Sequence, residues 1–139
     1  MQYYSLSYKD GLNPPGNQRM WRIKISSSAR NDHGLLEHEK LHVRQWWYCV
    51  IGTIVAASTL GHFVIAELYG IGLTAPWVQH ALYRIKAIRI QMELACYKAQ
   101  LRYGYQNGQP YSSAEFAVRA MVRHGMEESD AQKALENDK

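Results

Sequence analysis

The stretch LLEHEKLHVRQWW contains His38-Glu39-Lys40-Leu41-His42, an H-E-x-x-H pattern. Four residues is close to one helical turn, so on a helix both imidazoles leave one face at neighbouring levels and can point at a single metal ion. Neutral imidazole nitrogen suits zinc, which in catalytic sites takes three protein ligands and keeps a fourth position for water. Glu39 lies beside the first ligand, where its carboxylate can reach that water and take its proton instead of competing for the metal. Zinc lowers the pKa of bound water towards about 7, so a carboxylate can help generate hydroxide and later return the proton to a leaving amine. With six histidines in the chain, the pattern should arise in roughly one to two per cent of shuffles. The competing explanation is a solvated charged helix with two unrelated histidines. The metal reading is favoured because a helix is expected here independently, after a strand.

A catalytic zinc site needs a third protein ligand, and His62, Glu67, His80, Glu93 and Glu115 are the downstream candidates. Glu93 lies on a helical pattern with Tyr97 and Gln100 on its face at i+4 and i+7, although Arg89 four residues earlier could make it a plain ion-pair partner. His80 is the rival and would give an all-histidine site. Tyr97 could donate its hydroxyl to an oxyanion on the scissile carbonyl, or pack in the core with its hydroxyl at the edge. Gln45 and Cys49 continue the His38-His42 stripe, and Gln45 could orient a ligand from behind. His33 and His124 read as loop and helix-end residues without a metal role.

These side chains must be positioned by regular elements. In Met20 to Ser26, MWRIKIS alternates Trp21, Ile23 and Ile25 against Arg22 and Lys24, predicting a strand. A short strand could precede it, and GLNPPGN between the two reads as a turn. A helix is expected from near Gly34, capped by Asn31 or Asp32, with the apolar segment after Trp46 extending or following it as buried helix until GIGLTAP breaks the chain at 70–76. A new helix starts near Pro76, and the uninterrupted pattern from Trp77 to Tyr103 predicts one long second helix. GYQNGQP at 104–110 is a loop, Ser112 or Ser113 caps a helix that stops at Gly125, and Ser129 opens a last one. The fold class is α+β, predominantly helical, in a single domain overall: residues 1–110 carry the site and 111–139 form a C-terminal helical hairpin.

Composition narrows the partners. A formal charge of +4, spread along the chain without a basic run, does not imply nucleic acid. Cys49 and Cys96 each sit in an apolar stretch and read as reduced core residues. The N-terminal residues lack the features of a secretory signal, so a cytoplasmic or virion-associated location is expected. Residues 46–73 hold only His62 and Glu67 as interruptions of their apolar character, which keeps membrane association open.

On LLEHEKLHVRQ and QMELACYKAQ the chain resembles minimal gluzincin-type metallopeptidases, small bacterial and phage proteins with H-E-x-x-H-x-x-Q on one helix and a glutamate on a later one. The resemblance covers roughly residues 19–103 and implies a zincin-like core with His38 and His42 as zinc ligands, Glu39 as base and Glu93 as third ligand. It also implies a peptide or protein substrate, aligned by the strand at 20–26 acting as an edge. The chain departs from the family in having Gln91 and Cys96 around the third ligand, where acidic residues are common, and in the apolar stretch between His42 and Glu93. A fainter likeness to part of a ubiquitin-associated domain, in MVRHGMEESDAQKALE, is read as the helical hairpin. The alternative function is a non-catalytic structural or assembly protein, such as a phage virion component, that keeps a zincin-like fold and uses its tyrosines and tryptophans at interfaces with protein partners.

Overall fold

In the computed structural model, which describes residues 3–103 and 111–136, the alternation in RIKIS becomes a strand whose Ile23 and Ile25 are fully buried while Arg22 and Lys24 face out. The three strands are β1 (Ser5–Lys9), β2 (Gly16–Arg19) and β3 (Arg22–Ser26), in the order β1-β3-β2, with β1 parallel and β2 antiparallel to β3. Trp21 falls outside β3 because Met20 before it turns the chain through a positive φ of 57°. The expectation that residues 20–26 form an edge is corrected: β3 is central and paired on both sides. One edge is instead β2, whose polar GNQR has no period-two signature and whose approach through Pro14 and Pro15 reads as a turn.

Asp32 caps the next element by accepting the Leu35 N–H at 2.8 Å, and α1 (His33–Phe63) then runs unbroken for 31 residues. Its first half presses Leu35 and Val43 onto Ile23 and Ile25 of the sheet, while Trp46 donates its indole N–H to the Pro76 carbonyl at 2.9 Å. A 3-10 segment (Ala66–Thr74) runs back along the second half, followed by α2 (Ala75–Tyr83) with Pro76 in its first turn. The expectation of buried helices after Trp46 does not hold. Ile51, Ile54, Val55, Phe63, Ile65 and Leu73 are all exposed, because α1 outruns the sheet and the later helices that cover its first half. Among the described residues, no helix is long and apolar enough to cross a membrane.

The single helix expected from Trp77 to Tyr103 is two, α2 and α3 (Lys86–Leu101), separated at Ile85, which is extended at φ −79° and ψ 113°. No proline or glycine marks this break; the turn lets α2 and α3 both pack on α1. The loop expected at 104–110 lies outside the described residues. Ser113 then caps α4 (Ala114–Arg123) by accepting the Phe116 N–H at 3.1 Å, Gly125 turns the chain at φ 98°, and α5 (Glu128–Glu136) folds back. This hairpin packs Ala117, Met121, Ala131 and Leu135 against Tyr97 of α3.

Candidate metal centre

The first half of α1 and the face of α3 bring together residues far apart in the chain. His38, Glu39 and His42 of α1 and Glu93, Cys96, Tyr97 and Gln100 of α3 are all buried. His38 Nε2 lies 3.2 Å from His42 Nε2. The Glu93 carboxylate straddles the pair, with Oε1 3.4 Å from His42 Nε2 and Oε2 3.7 Å from His38 Nε2. Two imidazole lone pairs this close repel unless a proton or a cation lies between them. His38, His42 and Cys96 each offer a ligand atom, all within 4.8 Å of one another, so this buried cluster could hold a metal ion, with Glu93 beside it.

The rings are held from behind. Gln45 Oε1 lies 3.1 Å from His42 Nδ1, and its amide nitrogen donates to the Met92 carbonyl at 3.1 Å, which fixes the amide orientation. With Nδ1–H donating to Gln45, Nε2 is the nitrogen that faces His38 and Glu93. Burial opposes the imidazolium, but Cys96 and Glu93 outweigh it and raise the His42 pKa well above its usual value, so without a metal Nε2 holds a proton that a cation would displace. Cys96 Sγ lies on the other side of that ring, 3.5 Å from Nδ1. Buried Gln79 of α2 donates to the His42 carbonyl at 3.1 Å. The His38 ring packs edge-on against Tyr97 at 4.5 Å, and Gln100 of α3 is the side-chain hydrogen-bonding neighbour of His38. Glu39 points towards β2: a Cβ on Gly16 would stand 2.4 Å from its Oε1, so only glycine leaves space for the carboxylate there.

Burial sets the electrostatics of His38 and Glu39, and pairing sets those of His42 and Glu93. Burial lowers the His38 pKa to about 3, helped by His42 and opposed by Glu93, so His38 is neutral at physiological pH. Burial pushes the Glu39 carboxyl up to about 7, with Glu93 adding to the shift and His42 opposing it. For Glu93 burial works against the anion, but the hydrogen bond and charge of His42, aided by the Tyr83 hydroxyl, outweigh it and hold the carboxyl below its usual range. Burial and the neighbouring Glu93 keep the Tyr83 phenol protonated, and burial does the same for Tyr97.

Of the candidate third ligands, Glu93 alone joins the pair; His62, Glu67 and His80 are exposed, and Glu115 is an exposed ion-pair partner of Arg119. Arg89 does not take up Glu93 but donates to the His124 carbonyl at 3.4 Å. Sequence reading missed three neighbours. Tyr83 donates its hydroxyl to Glu93 Oε1, His124 Nε2 lies 3.6 Å from Glu93 Oε2, and Cys96, read as a plain core residue, touches His42. Cys96 alone carried a signal, being three residues from Glu93 on the same helix, whereas Tyr83 reaches the site through the break at Ile85 and His124 as the cap that ends α4.

A cleft of about 360 Å³ opens onto this cluster, walled by Pro15 and Gly16 of the β2 side, Glu39 and His42 of α1, and His124 at the end of α4. Such a cleft gives a buried polar centre access to a ligand along a strand edge. Compared with known proteins, the chain matches no family model, no curated protein and no solved structure, so its own geometry carries the functional reading.

Proposed function

We propose that the chain is a zinc-dependent peptidase of the gluzincin type, with His38, His42 and Glu93 as metal ligands. The observation that carries this reading is a match of distances. Zinc bonds of 2.0–2.1 Å place the ligand atoms of a tetrahedron about 3.3 Å apart. The separations among His38 Nε2, His42 Nε2 and the Glu93 oxygens are 3.2, 3.4 and 3.7 Å. Cys96 Sγ contacts Nδ1 of His42, whereas the Glu93 oxygens face Nε2 of both rings, so a metal shared by the two Nε2 atoms would take Glu93 in preference to the thiol.

Bound there, zinc would acidify a water and polarise a scissile carbonyl. Glu39, held near neutrality at about 7, would take the proton from the attacking water and return it to the leaving amine. Tyr83 and His124 would hold the Glu93 carboxylate in place. Tyr97, which lines the cleft and keeps its proton, would donate to the oxyanion. An extended peptide would align on β2. The Ser26 N–H donates to the Pro15 carbonyl, so the ladder's alternation turns the backbone groups of Gly16 and Gln18 to the free edge beside Glu39.

The test pairs metal content with cleavage of a broad peptide library. The purified protein is expected to carry zinc at about one per chain and to lose it on His38→Ala substitution. Glu39→Gln is expected to keep the zinc while hydrolysis falls roughly 10²- to 10⁴-fold. Absence of zinc, with His38→Ala changing neither stability nor activity, would defeat the site. Zinc retained with cleavage unchanged in Glu39→Gln would make the metal structural and favour an assembly role.

A further inference from the structure

The second half of α1 and the 3-10 segment that packs along it form a hairpin built inside out. Small residues face inward: Ala57 is buried, and Gly61 sits so close to the Tyr69 ring that an added Cβ would stand 2.8 Å from it. The large apolar side chains face outward, with Phe63 78%, Leu73 79%, Val64 65% and Val55 58% exposed. A water-soluble hairpin buries its large apolar side chains and exposes polar ones. Small residues at the helix contact with large apolar ones outside is the pattern helices adopt when their surroundings are lipid.

The exposed positions do not form one stripe. Ile51, Gly52, Ile54, Val55, Ser58, Thr59, His62 and Phe63 cover most of the circumference of α1, leaving only the line through Thr53, Ala57 and Gly61 turned inward. A second protein would cover one face of such a hairpin, whereas acyl chains surround it. Charge is segregated in the same sense. Between Arg44 and Arg84 the one formal charge is Glu67, and exposed Arg44, Arg84 and Lys86 stand at the two ends of the stretch. Trp77 and Tyr48, both exposed, supply amphipathic rings near those ends.

We infer that this hairpin, Tyr48 to Trp77, docks the protein on an anionic lipid bilayer by entering one leaflet. No helix here is long and apolar enough to cross, and the Glu67 carboxylate keeps the hairpin lying in the leaflet instead of passing through it. Docking by this surface is independent of whether the metal centre hydrolyses peptides.

Flotation of the full chain tests it, using vesicles of phosphatidylcholine with phosphatidylglycerol at roughly one lipid in three. The protein is expected to float with the vesicles, and omitting phosphatidylglycerol should weaken partitioning about tenfold or more. Phe63→Asp combined with Leu73→Asp, both at exposed positions, should cut partitioning by at least about tenfold with an unchanged circular dichroism spectrum. In the unsubstituted protein, acyl chains carrying bromine should quench the tryptophan fluorescence, a readout that needs no variant to fold. Protein left in the aqueous fraction with no quenching overturns the inference, as does a folded double variant that floats as well as the parent. A dimer that the double variant splits, with no flotation of either, assigns the face to a second copy and overturns it too.

Discussion

The two halves of α1 obey opposite packing rules on one continuous helix. From His33 to Trp46 the inward positions carry Leu35, Val43 and Trp46 together with the site residues His38, Glu39 and His42, all buried. Beyond Val50 the inward positions carry Thr53, Ala57 and Gly61, and the large apolar residues point away from the protein. The first half packs against the sheet, α2 and α3, whereas the second half carries the contacts of Ala57 and Gly61 with the 3-10 segment. The difference teaches that a helix's apolar content does not determine its burial; what lies opposite each turn does.

The largest expected effect separates the halves directly. Leu35→Ala, at a buried position against Ile23 and Ile25, is expected to cost roughly 2–5 kcal/mol. Leu60→Ala, on the half-exposed stretch, should stay within about 0.5 kcal/mol. Urea unfolding of the two variants makes the measurement, and equal losses would mean that the second half is buried after all.

Next in size is a pH effect peculiar to the first half. Glu39 has its folded pKa raised from 4.5 to about 7, so between those values the folded state binds more protons than the unfolded chain, and stability falls as pH rises. In chelator-treated protein, Glu39→Gln should remove that loss. Its stability relative to the parent should grow from pH 4.5 to 7 and then level off at a difference on the order of 3 kcal/mol. His38, with its pKa lowered, adds the opposite slope, losing stability as pH falls below 6.5, and this contribution is common to both proteins. A difference that does not change with pH would show that Glu39 is not desolvated.

The smallest effect lies at the boundary between the halves, where Gln45 orients His42. Gln45→Ala should weaken zinc affinity by roughly 10- to 100-fold, measured by competition with a chromophoric chelator, without abolishing binding. An unchanged affinity would mean that Cys96, at the same nitrogen, holds the ring without Gln45.

Much of this was legible in the chain. The spacing of His38, Glu39 and His42, the alternation around Ile23 and Ile25, the Asp32 and Ser113 caps and the stop at Gly125 are local patterns read within a turn or two, and local hydrogen bonding enforces them. Glu93, Tyr97 and Gln100 on one face of α3 follow from the same helical period. Only the tertiary structure decided the rest. β2 lacks any alternation because one edge strand of four polar residues is stabilised by its neighbour, not by its own pattern. The break at Ile85 has no breaker residue, yet it brings Tyr83 onto Glu93, while the end of α4 places His124 at the same carboxylate. The apolar run after Trp46 carried the same signal whether buried or exposed, because hydrophobicity along a chain records what a residue avoids, and only the packed neighbours determine whether it is covered.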